Sequence, residues 1–372
     1  MPQQLTVPCC LMRGGTSKGP FFNLADLPPA GPARDQLLLA IMGSPDRRQI
    51  DGLGGGHALT SKVGMVSLGD LAQTGADLHF LFAQLQPESD RVDTTPNCGN
   101  MLAAVVPFAL ESGLIQARGE HTTVRVLTEN TGMLSDITVH TPNGVINYEG
   151  EARIDGVPGV SAPIHIRFLD TAGSVCGSLL PTGQALNVFD VPNLGRIEAT
   201  CIDNGMPMVL VRATDFGCNG QEGVAELNAD KVLKERLEAL RLMAAQQMGL
   251  GDVGAKNYPK MCLLSPPQQS GAINTRCFIP HVCHEAIGVL AAVTVATACV
   301  LPESIAYGLS QGGVAKTLSP LLSIEHPSGE FSVALSLAED GNGQTTVVGA
   351  ALLRTARLIM KGEVSVLASS QT

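Results

Sequence analysis

Two stretches of this chain are apolar on every face. One begins just after Cys98, within TTPNCGNMLAAVVPFALESG at 94–113; the other is AIGVLAAVTVATACVL at 286–301. A helix without a polar side has to lie at the centre of a domain, with other elements wrapped around it. The second run has 16 residues and is rich in Ala, Thr and Gly, too short for a membrane span and suited to a buried helix. The chain therefore needs two centres. Its 372 residues, 44% of them apolar, are enough for two ordinary domains, each with its own core. Aromatics make up only 3%, with no Trp, so Leu, Val, Ala and Ile must fill those cores. With 41 Gly and 23 Pro, the wrapping elements are expected to be strands joined by many turns.

Strand-like alternation or short apolar runs occur in LTVPCCLMR, KVGMVSL, LHFLFAQLQ, TTVRVLTEN, IHIRFLD, PMVLVRA, FSVALSL and EVSVLA. Clear helices are fewer: ARDQLLLAIMG, and the amphipathic DKVLKERLEALRLMAAQQMG ending near Gly249. The two buried helices suggest an internal repeat. The first half runs strand, RGGTSKG turn, strands, NCGN and buried helix; the second runs DNGMP turn, strand, amphipathic helix, HVCH and buried helix. Each buried helix is expected to carry a cysteine in its first turn, Cys98 or Cys283. Arg13 to Cys98 spans 85 positions and Asn204 to Cys283 spans 79. Two β-rich domains that each happen to have one core helix would give the same pattern. GSLLPTG at 177–183 offers a boundary, giving domains 1–182 and 183–372.

The formal net charge of −10 repels phosphate backbones and argues against nucleic acid as a partner. No basic run offers a nucleic-acid or membrane patch, and an anionic substrate would need a local set of donors. The start, MPQQLTVPCCLMRGG, has no charged segment followed by an apolar stretch, so no signal peptide is expected. Ten cysteines in no regular framework, in a chain far longer than disulfide-stapled domains, are expected to be reduced thiols in a cytoplasm.

Cys98 sits where an apolar helix should begin. Unsatisfied amides and the positive end of the helix dipole favour a thiolate there, and the same amides can hold a carboxylate. Asn97 can act as N-cap, and Gly99 lets a ligand approach the backbone. The ordinary alternative is a buried cysteine serving as a small hydrophobe. Lys62, in ALTSKVGMV, lies in or beside an apolar strand. Burial there would lower its pKa toward the range of a general base; a strand-edge lysine facing water is the alternative.

MRGGTSKG at 12–19 can form a nest for an anion, but Pro20 after Gly19 rules out a P-loop. DGLGGGH at 51–57 leads into a strand-like stretch, whereas a dinucleotide fold needs a helix there. CFIPHVCH crowds Cys277, His281, Cys283 and His284, all zinc-ligand types, into eight residues. Adjacent Cys283 and His284 would struggle to meet one ion, and no second pair stands at finger-like spacing. An anion-binding helix start with His281 or His284 as donor fits better, with Arg276 as a carboxylate clamp. EHPSG at 325–329 and DNGMP at 203–207 are polar turns of the same kind. A thiol at a helix start, a lysine of lowered pKa and several anion nests suit proton abstraction next to a carbonyl or alkene, on a substrate with several carboxylates.

Longer motifs narrow this. MRGGTSKGPFF, MGSPDRRQIDGLGGG, LTSKV, RVDTTPNCGNM, ARIDGVPG, TCIDNGMP, RCFIPHVCH, IEHPSGEF and LRTARLIMKGEV resemble, in this order, those of the 2-methylaconitate isomerase family, from about residue 7 to 367. The resemblance implies an α+β fold of the diaminopimelate-epimerase type. Two similar domains would each wrap a curved, mostly antiparallel sheet around a central buried helix, with the active site in the cleft between them. In some members of that fold the last strand, here EVSVLA, returns to the first domain. The resemblance also implies catalysis without a cofactor or metal, by Lys62 and Cys98. Arg13, Gly15, Thr16, Ser17, Ser61, Asn97, Gly99 and Asn100 would bind substrate in the first half. Asn204, Met206, Arg276, His281, His284 and Ser328 would do so in the second. The partner would be a small polycarboxylate, and a homodimer is compatible with this. Epimerases of the fold use two cysteines, each in a Cys-Gly context; Cys283-His284 departs from that and argues against symmetric two-thiol racemisation. The expected reaction is keto–enol tautomerisation of 4-oxalomesaconate, an acid of gallate breakdown. An allylic isomerase, shifting a double bond in 2-methylaconitate or a related acid, would use the same residues. A zinc-binding or carboxylate-sensing protein is the alternative of another class.

Overall fold

The computed structural model describes residues 4–169, 171–310, 320–339 and 345–367. The chain divides into two units, Met1–Leu169 with Leu353–Thr372, and Asp170–Leu352. The change of unit falls earlier than the boundary expected at 182. The reason is that the glycine-rich stretch before 183 is tied to a strand of the second unit: the Gly173 amide donates to the Asp203 carbonyl (2.8 Å) and the Asp203 amide to that of Leu179 (2.9 Å).

The chain begins with β1 (Gln4–Gly14), β2 (Ser17–Asn23), α1 (Pro32–Met42), β3 (Lys62–Leu68), β4 (Leu78–Leu85) and β5 (Val92–Asp93). Then come α2 (Gly99–Leu102), α3 (Val105–Glu111), β6 (His121–Thr128), β7 (Met133–His140) and β8 (Ile164–Phe168). The second unit runs β9 (Asn187–Val191), β10 (Gly195–Asp203), β11 (Pro207–Arg212), α4 (Val224–Ala229), α5 (Lys231–Gln247), β12 (Lys260–Ser265) and β13 (Ile273–Phe278). It continues through α6 (Val289–Val300), α7 (Ile305–Leu309), β14 (Leu321–His326), β15 (Gly329–Glu339) and β16 (Thr345–Arg354). The final strand, β17 (Ala356–Leu367), contains EVSVL and pairs antiparallel with β1 in the first unit.

Both units follow one pairing order. From β1 the neighbours are β2 antiparallel, β3 parallel, β4 antiparallel, β6 parallel, β7 antiparallel and β8 antiparallel. From β10 they are β11 antiparallel, β12 parallel, β13 antiparallel, β14 parallel, β15 antiparallel and β16 antiparallel. β9 flanks β10 as β17 flanks β1. Each parallel step spans helical chain, as a parallel connection requires. The fold is α+β, with a mostly antiparallel sheet and a buried central helix in each unit.

Strand alternation decides what faces that helix. In β3, Val63 and Met65 pack with Leu37, Leu38 and Ile41 of α1. Lys62 and Gly64 therefore take the opposite face. There a Cβ on Gly64 would strike the Phe21 ring, whose centroid is 5.7 Å from that of Phe108 in α3. In β12, Met261 and Leu263 pack with Leu237 and Leu240 of α5, which turns Lys260 and Cys262 to the other face. In α6 every residue from Leu290 to Val300 is buried, as its unbroken apolar sequence requires. The helix after Cys98 comes in two pieces, α2 and α3, because Pro107 has no N–H to give the Ala103 carbonyl.

Two local expectations are corrected. The turn in MRGGTSKG is only Gly15–Thr16; the residues on either side are strand, with Gly14 paired to Ser17. Cys283 is not in the first turn of its helix. α6 starts at Val289 with Gly288 as N-cap, and Cys283 lies upstream in an isolated bridge to Phe278.

Candidate functional site

In the first unit the β1–β2 turn lies against the start of α2. A Cβ on Gly14 would strike the Asn100 carbonyl oxygen, and one on Gly15, whose φ is +51°, would strike the Asn100 side chain. Only glycines allow this approach. The Asn100 Nδ2 then donates to Thr16 Oγ1 (2.9 Å). Cys98, rather than Asn97, is the N-cap residue: it is extended (φ −136°, ψ 96°), half-buried and without a side-chain capping bond. The first backbone bond of the helix runs from Leu102 to the Cys98 carbonyl (2.9 Å). The amides of Gly99, Asn100 and Met101 lie ahead of it and point out of the helix start. Among the described residues Asn97 Oδ1 and the Ser17 hydroxyl are buried with no hydrogen-bond partner, the condition of groups whose partner is a ligand or water.

Lys62 opens β3 and is buried, at 8% exposure. Its ammonium donates to Gln84 Oε1 (2.6 Å) and lies 4.9 Å from the centroid of the Phe82 ring. Gln84 is itself fixed, because its Nε2 donates to the carbonyls of Ala58 (3.1 Å), Ser61 (3.1 Å) and Leu85 (2.8 Å). Among the described residues no carboxylate reaches Lys62. Its main chain meets α2 at Gly19, where a Cβ would strike the Lys62 carbonyl and lie 3.2 Å from Met101 Cε. Gln84 was missed in the sequence because only the β3–β4 register, Lys62 opposite Gln84, reveals it.

Two other expected ligands have structural work. The Ser61 hydroxyl lies 2.8 Å from both Gln49 Oε1 and the His57 carbonyl, which braces the glycine-rich loop. Arg13 Nη1 donates to the carbonyls of Gly15 (2.9 Å) and Thr355 (3.1 Å), which fixes the turn. Burial, and then Arg357, push the Arg13 guanidinium below its usual value.

In the second unit the β10–β11 turn sits on α6. Asn204 Oδ1 accepts from the Thr171 hydroxyl (2.5 Å), and its Nδ2 donates to Thr297 Oγ1 (2.7 Å). The Thr294 hydroxyl donates to the carbonyls of Asn204 (3.0 Å) and Met206 (3.1 Å). Arg276 is buried, and donates to the Glu222 carbonyl (2.9 Å) and Asn274 Oδ1 (3.0 Å). Ser328 bonds the Glu285 carbonyl, which joins the β14–β15 turn to the segment holding His284. His284 Nδ1 accepts from the Ala286 amide (2.8 Å). His281 turns away toward Glu238 of α5 (3.6 Å). The ligand types of CFIPHVCH thus point to separate partners, and among the described residues no three His, Cys, Asp or Glu side chains converge on a metal position.

Residues 4–367 match the family described as PrpF protein. The chain belongs to the PrpF family. Over 365 residues it is 51% identical to 4-oxalomesaconate tautomerase of Pseudomonas putida, covering 98% of this chain and 97% of that one. It is 50% identical over 363 residues to (4E)-oxalomesaconate Delta-isomerase of Novosphingobium sp., covering 97% and 98%. The crystal structure of a methylitaconate-delta-isomerase superposes with a TM-score of 0.84 at 31% identity, covering 99% of this chain and 98% of the other. A hydroxyproline epimerase of Agrobacterium vitis, 14% identical with a TM-score of 0.50 and coverage of 99% and 95%, shares the fold alone. The PrpF-family fold is thus of the epimerase type that the motifs implied. Among the described residues no helix is long and apolar enough to cross a membrane.

Proposed function

We propose that this protein is an isomerase that interconverts the oxo and enol forms of 4-oxalomesaconate by proton transfer, with Lys62 and Cys98 as the acid–base pair. One observation carries the assignment of roles. Lys62 is a buried amine with no carboxylate partner among the described residues, on the sheet face that carries the helix capped by Cys98. Lys62, acting as the neutral amine, would take a proton from the carbon beside the oxo group and become the ammonium, and the electron pair would move onto the oxygen as the enolate forms. Cys98 would deliver its proton to the enolate oxygen, and proton exchange with water would return Lys62 to the amine and Cys98 to the thiol before the next turnover. The unpaired amides of the α2 start, the Ser17 hydroxyl and Asn97 Oδ1 are the groups available to orient carboxyl and hydroxyl groups.

Relatives about equally similar to this chain are named for a tautomerase and for a Delta-isomerase of the same acid. A 1,3-allylic shift, with Lys62 removing a proton at one carbon and returning it two carbons away, is therefore the second reading. Proton NMR in deuterated buffer separates the two. The tautomerase exchanges the hydrogen beside the oxo group and builds up the enol; the allylic isomerase moves the double bond and also converts 2-methylaconitate. Lys62→Met and Cys98→Ala should each lower turnover about 1,000-fold, and turnover within a few-fold of wild type in both would sink the assignment. A place in gallate breakdown and a cytoplasmic location belong to the same proposal, the latter supported by ten cysteines that are all free thiols.

A further inference from the structure

A cavity of about 460 Å³ in the first unit takes no part in the chemistry above. Its size is that of a small-molecule pocket. The walls are mostly apolar: Leu24, Leu27 and Pro29 from the loop ahead of α1, and Leu81 of β4. Strand alternation places it away from Lys62. Phe82 and Gln84 meet Lys62, whereas Leu81 packs with the core under α1, on the other face of the sheet. The walls are stiff. Pro28 and Pro29 have fixed φ, Asn23 Oδ1 accepts from the Ala25 amide (3.1 Å), and the Leu27 amide donates to the Leu24 carbonyl (3.2 Å).

Two charged residues line this cavity, Arg34 and Glu129. Arg34 stands one turn ahead of Leu37 and Leu38, on the face of α1 that packs on the sheet, and is only 9% exposed. Among the described residues its guanidinium has no hydrogen bond and no ion pair, and its Nε is buried without an acceptor. An arginine whose head simply reached out to water would not leave that nitrogen dry. A cation at this depth is costly until an anion joins it. Glu129 is engaged elsewhere: its Oε1 lies 3.2 Å from His79 Nδ1, and His79 Nε2 lies 2.9 Å from Thr74 Oγ1. Arg34 is thus the unmatched charge, and Glu129 repels a second carboxylate from the same cavity.

We infer that this cavity binds a monocarboxylic acid with a small apolar body, the carboxylate on the Arg34 guanidinium and the body against Leu24, Leu27 and Leu81. The site is separate from Lys62 and Cys98, and its ligand is not a polycarboxylate. Phenylacetate, with a carboxylate one carbon from a flat apolar ring, is a suitable probe, and phenylacetamide is its uncharged counterpart. Calorimetry on the full chain measures both in wild type, Arg34→Met and Arg34→Lys, alongside steady-state kinetics with 4-oxalomesaconate. Wild type should bind phenylacetate about tenfold or more tighter than phenylacetamide. Arg34→Met should weaken phenylacetate binding about ten- to hundredfold, the scale of lost charged hydrogen bonds, and leave kcat and KM within a few-fold. Arg34→Lys should keep part of the affinity. No binding by wild type, equal Kd for acid and amide, or an unchanged Kd in Arg34→Met overturns the inference. Competition of phenylacetate with 4-oxalomesaconate that persists in Arg34→Met places the acid at the substrate site and overturns it too. Should Arg34→Met not fold, phenylglyoxal labelling of Arg34 in wild type, read by mass spectrometry, decides. Several-fold slowing by phenylacetate supports the site, and an unchanged rate refutes it.

Discussion

The two units share a strand order, a buried central helix and a lysine at the start of the third strand, but they differ at the helix cap. The first has a half-buried thiol there, Cys98; the second has Gly288. The neighbours of the lysines differ in the same sense. Among the described residues Lys62 has only the neutral Gln84 amide and the Phe82 ring, whereas Lys260 shares its face with the Cys277 thiol. A symmetric racemase would need an acid–base group at both caps. A repeat that keeps the lysine and drops the thiol at one cap leaves a single lysine–thiol station, in the first unit.

The sharpest test of that division is to remove each lysine in turn. Lys62→Met, like Cys98→Ala, should lower kcat about 1,000-fold, the scale of a lost general acid or base, and leave KM within a few-fold. Lys260→Met, in a unit with no thiol at its helix cap, should leave kcat within a few-fold of wild type. Equal kcat losses from both lysines would erase the distinction. The turns over the two helices give a second contrast. Gly14→Ala forces a Cβ onto the Asn100 carbonyl oxygen, a backbone atom that can yield only if α2 moves. A loss of about 2–3 kcal/mol in urea melts is expected, with activity falling alongside. Gly205→Ala meets Leu290 Cδ2 at 3.1 Å, the end of a flexible side chain, and its penalty comes mainly from a φ of +87°. About 1 kcal/mol should suffice there.

Much of this was legible in the sequence, for identifiable reasons. KVGMVSL corresponds to β3 residue for residue, because a run buried on both faces and flanked by turns can hardly be anything else. DKVLKERLEALRLMAAQQMG closely matches α5, since its apolar residues recur at helical spacing and Gly249 adopts a φ of +73° just past its end. The order of pairing could not be read, because register and neighbour are set by partners distant in the chain. For the same reason β12 and β13 went unseen and Lys260 was passed over. The signal was present: a lysine five residues ahead of a serine, across an apolar run, occurs at Lys62–Ser67 and again at Lys260–Ser265. The placement of Cys283 in a helix start failed because apolar character alone cannot say where a helix begins. Gly288 supplies the extended N-cap conformation, with ψ 146°, five residues later.

A smaller effect probes the second cap directly. Gly288→Ala would bring a methyl group to 3.3 Å from the Lys260 ammonium, which can shift along its flexible stem. Thermal stability and kcat should be nearly unchanged. A kcat loss as large as that of Cys98→Ala would mean that the second cap also takes part in the chemistry.

The slightest difference between the units should appear in alkali. Burial pushes Cys10 of the first unit up to about 11. In the second unit it pushes Cys201 and Cys299 up to about 12. Cys176 and Cys283 also rise to about 12, and Cys218 to about 11. A thiol raised in the folded state keeps its proton where the unfolded chain, near 9, has lost it. Its stabilisation is therefore complete below pH 9 and declines as pH rises toward the folded value. For the fully buried Cys201 and Cys299 the slope is about 1.4 kcal/mol per pH unit each. Cys277, drawn down instead, is deprotonated in both states above pH 9 and adds no slope there. The second unit, with more raised thiols, should lose stability first. Hydrogen exchange read by mass spectrometry at pH 8 and pH 10.5, corrected for intrinsic rates, should show protection falling further in 171–310 than in 4–169. Cys201→Ala should flatten that fall. A first unit that loosens before the second would mean that charge repulsion elsewhere, and not these thiols, governs alkaline stability.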